Sequence, residues 1–393
     1  MGKHLVGRAE TCDVFDDALV DLRHGGSAAL SLVGEPGIGK TRLLAELAAR
    51  ANARGYLVLT GSASELERDL PFRVFVDALD EYLRGLEPTR LGALDDETRA
   101  ALGEVLPSLA RLAGPSGTVF QHDRYRMHAV VRELLEELAA AKPLVLVLDD
   151  LHWADTASVE LLGALLRRPP DAPVLMALSV RPRQMPDLLS GALERAGRSE
   201  ALIRLEVGPL TEDEARQLLG ESVDAATASA LYEESGGNPF YLEQLARSLD
   251  RSPSGSAPVR HFSLEGLDVP APVAADLAEE LALLGDDARL VLDGAAVAGD
   301  PFDPELAAAA AGTAEGLALD AVDELLGLDL VHQTEVPRRF RFRHPIVRRA
   351  VYESTPAAWR LGAHERSAEA LAKGGAPAAA RAHHVERYAR RGD

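Results

Sequence analysis

The sequence predicts an α/β domain built on a parallel sheet, followed by an all-helical lid and a winged-helix domain. Three observations carry this. Short apolar runs alternate with helical stretches through residues 1–208, the pattern of a parallel sheet covered on both faces. After Pro209 only helical spacing continues. Two short strand-like pieces, 328–333 and 339–343, then follow a run of helices, the order of a winged helix.

The elements read in order. AALSLV (28–33) is an apolar strand, and the helix behind the glycine-rich stretch has Leu43, Leu44 and Leu47 at helical spacing before it stops at Gly55. YLVLT (56–60) is a second strand, and 71–140 is helical, most clearly at VVRELLEELAAA (130–141). LVLVLDD (144–150) is a buried strand ending in two carboxylates, and Asp155 is placed to N-cap a helix over 156–167. APVLMALSVR (172–181) and ALIRLEV (201–207) add two strands.

In the lid, 209–250, Thr211 and Glu214 stand at capping-box spacing for a helix over 211–219; a helix over 224–234, the loop SGGNP and a third helix follow. Residues 251–272 are rich in Pro, Ser and Gly and read as a linker. The winged-helix domain and following helices take 273–393, with helices near 274–284, 286–297, 303–311, 315–327, 345–352 and 356–372. The last residues still look helical, which fits a piece of a longer protein.

Composition narrows the function classes. The net charge of −20 opposes general binding to a phosphate backbone. The lone Cys12 allows no internal disulfide. No secretory leader opens the chain and no apolar run is long enough to span a membrane, so the expected location is the cytoplasm.

Gly34-Glu35-Pro36-Gly37-Ile38-Gly39-Lys40-Thr41 fits GxxxxGK[ST] in full, with a strand before it and a helix after it. The glycines let successive backbone N–H groups turn inward on a phosphate, and the helix adds its positive N-terminal end. Lys40 is expected on the β- and γ-phosphates and the Thr41 hydroxyl on Mg²⁺, giving a P-loop nucleotide-binding domain for ATP or ADP. Asp149, at the end of LVLVL, is the candidate second Mg²⁺ residue, and Asp150 the residue that orients the attacking water. Arg181, at the end of the next strand, is placed to sense the γ-phosphate. His152 and Trp153 are assigned to packing. No NKxD follows, so guanine specificity of the small-GTPase type is unsupported.

LVGRAE (5–10), GEPGIGKTR (34–42), LVLDDLHWAD (146–155), LSVRP (178–182), GPLTEDEARQLL (208–219), SGGNPFYLEQL (235–245) and FRHPIVRRAVY (342–352) occur in that order. Together they resemble the signal-transduction ATPases with numerous domains (STAND, related to the AAA+ ATPases). Within these, the chain resembles the ATPase part of the large ATP-binding regulators of the LuxR family. The resemblance implies that Val6, Gly7 and Arg8 approach the adenine, that Arg42 follows the loop at the phosphate site, that Pro239 closes over the base, and that His344 senses the diphosphate. It also implies slow ATP hydrolysis, ATP-dependent assembly with other copies of the chain, and DNA contact only through a C-terminal domain missing from this sequence. An AAA+ motor, and an ATPase module attached to a kinase or cyclase, are the alternatives. The run Arg338, Arg339, Arg341, Arg343, Arg348 and Arg349 is expected to meet the acidic ATPase face or a partner subunit rather than DNA.

Overall fold

The computed structural model describes residues 5–87, 94–110, 124–251 and 269–389. They fall into two compact units, Met1–Gly208 and Pro209–Asp393.

The first unit is a five-stranded parallel sheet with helices on both faces. Its strands are β1 (Ala28–Val33), β2 (Leu57–Ser62), β3 (Leu144–Asp149), β4 (Val174–Val180) and β5 (Ile203–Glu206), in the order β2-β3-β4-β1-β5. Because side chains alternate along a strand, each strand feeds two cores. Leu144, Leu146 and Leu148 of β3 join a core with α3 (Arg73–Arg84), α6 (Arg124–Ala141), α7 (Thr156–Arg167) and α8 (Asp187–Arg198). Val145 and Val147 face the other way, onto α1 (Ala9–Arg23) and α2 (Lys40–Ala53). Every residue of β3 and β4 is buried, which explains their unbroken apolar runs. The short helices α4 (Asp96–Val105) and α5 (Pro107–Ala110) complete the unit.

All five strands fall where the apolar runs put them, within two residues. The helices α1 and α8 go beyond the sequence reading. Phe15, Leu19 and Leu22 form the buried stripe of α1, with Asp13, Asp17 and Asp21 outside the core.

Asp155 caps α7 as expected, its carboxylate accepting the Ser158 N–H at 2.9 Å. It also accepts the N–H groups of Phe72 (2.9 Å) and Arg73 (3.1 Å) at the start of α3. One buried carboxylate therefore satisfies orphan donors of two helices.

The second unit runs through α9 (Glu212–Leu219), α10 (Ala225–Ser235), α11 (Pro239–Arg251), α12 (Ala271–Leu281), α13 (Asp286–Ala298), α14 (Pro304–Ala311) and α15 (Glu315–Gly327). The antiparallel ribbon of β6 (Val331–Gln333) and β7 (Phe340–Phe342) follows, then α16 (Pro345–Ser354), α17 (Ala357–Lys373) and α18 (Ala378–Tyr388). Phe302 bridges to Phe340 and adds a third short piece to the ribbon. The capping box is formed, with Glu214 N–H on the Thr211 hydroxyl and Thr211 N–H on the Glu214 carboxylate. The linker expected over 251–272 lies mostly, at 252–268, outside the described residues; α11 closes at Arg251 and α12 already begins at Ala271. Pro272 is tolerated there because the first turn of a helix needs no N–H donor.

One core joins Tyr241, Leu242 and Leu245 of α11 to Val291 and Leu292 of α13 and Val347 and Val351 of α16. Arg343 is inside it, donating to both carboxylate oxygens of Glu280 (3.1 and 3.3 Å) and to the Tyr241 hydroxyl (3.3 Å). Much of the arginine run is occupied in this way. Arg338 pairs with Glu305 and Glu315, Arg339 with Asp303, and Arg349 with Glu234. These acids belong to the second unit itself, rather than to the ATPase face expected from the sequence.

Candidate active site

The parallel order places the C-terminal ends of β3, β4 and β1 side by side, and the predicted residues of the first unit gather along that edge. Val33 pairs with Val180, so the glycine-rich loop leaves β1 level with the residue before Arg181. Leu148 pairs with Leu178, so the acidic pair leaves β3 at nearly the same height.

The loop has the form that phosphate binding requires. Gly37 (φ 71°) and Gly39 (φ 104°) adopt left-handed backbone, and a Cβ at Gly39 meets no atom within 4 Å, so the space before it is open. Gly34 is needed for another reason: a Cβ there lies 2.7 Å from the Val207 carbonyl oxygen. Ile38 is buried and pins the loop to the core under α1 and α2. Lys40 is buried, and its Nζ donates to the carbonyls of Gly34 and Glu35, both at 2.9 Å. The ammonium thus bridges the start of the loop to the helix that follows. Thr41 is exposed one residue on, in the first turn of α2, while Glu35 and Arg42 are half-buried and Pro36 is covered.

Arg8 is the N-cap residue of α1, just after Gly7 (φ 70°) and the half-buried Val6. Its guanidinium donates to the carbonyls of Ile38 (3.2 Å) and Gly208 (2.8 Å). The N-terminal segment is therefore fastened to the phosphate loop itself.

Asp149 is buried and accepts the Ser179 hydroxyl and the Asp150 N–H (3.0 Å) on one oxygen. The Asp150 N–H also reaches the Ser179 hydroxyl at 2.9 Å. Ser179 was not singled out from the sequence, since a serine in ALSVR reads as a small strand residue. Asp150 has φ +53°, unusual without glycine, and opens the turn Leu151–Trp153. Arg181 donates to Gln184 at 3.3 Å. His152, assigned to packing, is fully buried. Burial first, then the positive charges of Arg181, Lys40 and Arg68, push its pKa down to about 2.

The set fits a nucleotide with Mg²⁺. The open loop and buried ammonium suit an anionic phosphate, and Thr41 and Asp149 are oxygen donors of the type Mg²⁺ takes.

Pro239 and His344 lie in the second unit. Pro239 begins α11, where the Asn238 side chain accepts the Phe240 N–H at 3.1 Å. His344 precedes α16, is buried, stacks edge-on to Tyr241 at 5.8 Å, and covers Gly236, where a Cβ would fall 2.0 Å from its Nδ1. Among the described residues no helix is long and apolar enough to cross a membrane.

Residues 4–177 match the family model described as an AAA ATPase domain. An uncharacterized protein of Rhizobium meliloti (strain 1021) is 25% identical over 396 residues, covering 93% of this chain. The chain spans only 37% of that relative's length. Similar solved structures include a STAND protein with a tetratricopeptide-repeat sensor from Pyrococcus horikoshii, at 16% identity and a TM-score of 0.39, covering 99% of this chain and 49% of that one. Cdc6p from Pyrobaculum aerophilum is similar at 15% identity and a TM-score of 0.42, covering 90% of this chain and 96% of that one. The stretch 4–177 that matches the AAA ATPase domain model contains the phosphate loop and the acidic strand end of the candidate site described above.

Proposed function

We infer that this chain is an ATP-binding switch module that hydrolyses ATP slowly, with nucleotide state controlling conformation and self-assembly. The observation that carries the reading is the Lys40 ammonium bridging Gly34 and Glu35, together with an Asp149 carboxylate fastened to Ser179. Lys40 and the loop N–H groups hold the phosphates. Thr41 and Asp149 hold Mg²⁺, which neutralises charge on the β- and γ-phosphates when bound. Asp150 orients the attacking water, and Arg181 senses the γ-phosphate.

The roles of Val6, Gly7, Arg8 and Arg42, of Pro239 at the base and of His344 at the diphosphate belong to this proposal and rest on the family resemblance. The winged-helix identity of residues 273–393, a cytoplasmic location, and membership in a LuxR-type transcription regulator whose DNA contact lies outside this chain belong to the proposal as well. The helix–helix–helix–ribbon order of α13, α14, α15, β6 and β7, with its Phe302 bridge, supports the winged helix. A switch requires that nucleotide bind its two arrangements with different affinity.

Denaturing the purified protein and identifying the released nucleotide by chromatography tests the binding half, with ATP or ADP expected from the parent and none from Lys40→Ala. Turnover tests the switch: rates below about one per minute are expected, whereas rates above about one per second favour an AAA+ motor. Equal ATP affinity and equal assembly in Lys40→Ala sink the scheme.

A further inference from the structure

His152 has no exposed surface, and neither of its ring nitrogens has a hydrogen-bond partner among the described residues. An imidazole in that state costs free energy that an apolar ring of the same size does not. Packing alone therefore does not explain a histidine here.

Its surroundings narrow what the ring can do. Trp153 tilts against it at 5.1 Å, and the Arg68 guanidinium lies over the indole at 5.1 Å. The nearest carboxylate is that of Asp150, with Oδ1 3.9 Å from Nδ1, just beyond hydrogen-bond reach. The Asp150 backbone is fixed by the bonds from its N–H to Asp149 and Ser179, while its side chain remains 31% exposed at the edge of the site. Bringing that oxygen into hydrogen-bond range takes a shift of about 0.5–1 Å. The ring is neutral at ordinary pH, held so by burial and by Arg181, Lys40 and Arg68, so it is a fixed donor rather than a proton carrier.

The geometry points to His152 as a positioning residue: its Nδ1–H closes onto one oxygen of Asp150 and aims the other oxygen at the attacking water. This rests on the hydrolysis proposed above and adds a residue to it. Asp150 has two rotatable side-chain bonds and sits where solvent competes for it. A donor fixed from the buried side selects one orientation, which is how supporting residues tune catalytic groups.

The test uses Mg²⁺-ATP with the full chain and four variants: His152→Phe, His152→Asn, Asp150→Asn and the double variant His152→Phe/Asp150→Asn. Phenylalanine keeps a flat aromatic ring, slightly larger, without the donor, and asparagine restores an N–H near the position of Nδ1. Single-turnover hydrolysis of His152→Phe is expected to fall by about tenfold or more, with ATP affinity within about twofold of the parent. His152→Asn is expected to recover most of the rate, and His152→Phe to add less than about twofold in the Asp150→Asn background. Equal slowing by phenylalanine and asparagine overturns the inference, as does a His152→Phe rate within about twofold of the parent, or full additivity with Asp150→Asn. Thermal melting accompanies each variant, and His152→Met, with the same expectations, replaces phenylalanine if that protein does not fold. If Asp150→Asn hydrolyses ATP like the parent, the role of Asp150 itself has failed. If Asp150→Asn is slow and His152→Phe is not, only the positioning role has.

Discussion

The hydroxyl of Ser179, on β4, donates to the carboxylate of Asp149, at the end of β3. The same hydroxyl oxygen accepts the Asp150 N–H, so one side chain holds both acidic residues against the neighbouring strand. Ser179→Ala leaves Asp149 with the Asp150 N–H alone. The expected outcome is a loss of about 1–2 kcal/mol in stability and a higher Mg²⁺ requirement for ATP binding, read by titrating Mg²⁺ at fixed nucleotide. An unaltered Mg²⁺ dependence contradicts the role given to Ser179.

Asp155 tests the same first unit on the side of folding. Its carboxylate receives the N–H groups of Phe72, Arg73 and Ser158 together with the Ser158 hydroxyl. Asp155→Ala is expected to cost about 2–4 kcal/mol in urea unfolding, more than a single cap, because three N–H donors lose their acceptor. A cost under about 0.5 kcal/mol contradicts the double-cap reading.

In the second unit, Arg343→Met leaves the buried Glu280 carboxylate without its bidentate partner. The expected cost is about 3–5 kcal/mol, much of it recovered in the double variant Arg343→Met/Glu280→Met, since an apolar pair avoids the desolvation of both charges. Equilibrium unfolding of both proteins and of Glu280→Met checks this, and an additive double variant refutes it.

Acid should weaken the second unit through its histidines. His364 Nδ1 lies 2.9 Å from His384 Nδ1, and its Nε2 lies 3.0 Å from the Tyr352 hydroxyl. Burial, then the charges of His384, His383, Arg387 and Arg360, lowers the His364 pKa from 6.5 to about 4, and burial also lowers that of His384. The unfolded chain therefore binds protons at a pH where the folded chain does not. Stability from these residues is fully present above pH 6.5 and is lost as pH falls towards about 4. The loss at His364 is on the order of 3 kcal/mol, and melting of the parent against His364→Gln between pH 7.5 and 4.5 should show a shallower pH slope in the variant.

Much of the first unit was legible because its signals are local. Each strand announces itself as an apolar run, and the loop and Asp149 sit at strand ends. The strand order was not legible, because it depends on pairings such as Leu30 with Ala177, which no short stretch encodes. Ser179 escaped for the same reason, since its partner stands on another strand. Asp155 was read as one cap, and its second set of donors comes from Phe72 and Arg73, far away in sequence. The arginine run showed its charge but not its partners, which come from α12 and α14 as well as from Glu234 of α10 and Glu315 of α15. The helix α1 was legible, with apolar residues at helical spacing through CDVFDDALVDL, and passed unread beside the stronger signals that follow it.

The place of β1 in the sheet has a consequence for how this protein is made. β1 carries the phosphate loop, and among the described residues its neighbours are β4 and β5. Until residues 174–180 have left the ribosome, the loop-bearing strand has nothing to pair with, and until 203–206 emerge one of its edges stays bare. Nucleotide therefore cannot rescue the first half of the nascent chain. A fragment ending at residue 177, where the AAA ATPase match stops, breaks off inside β4 and is expected to aggregate rather than bind ATP.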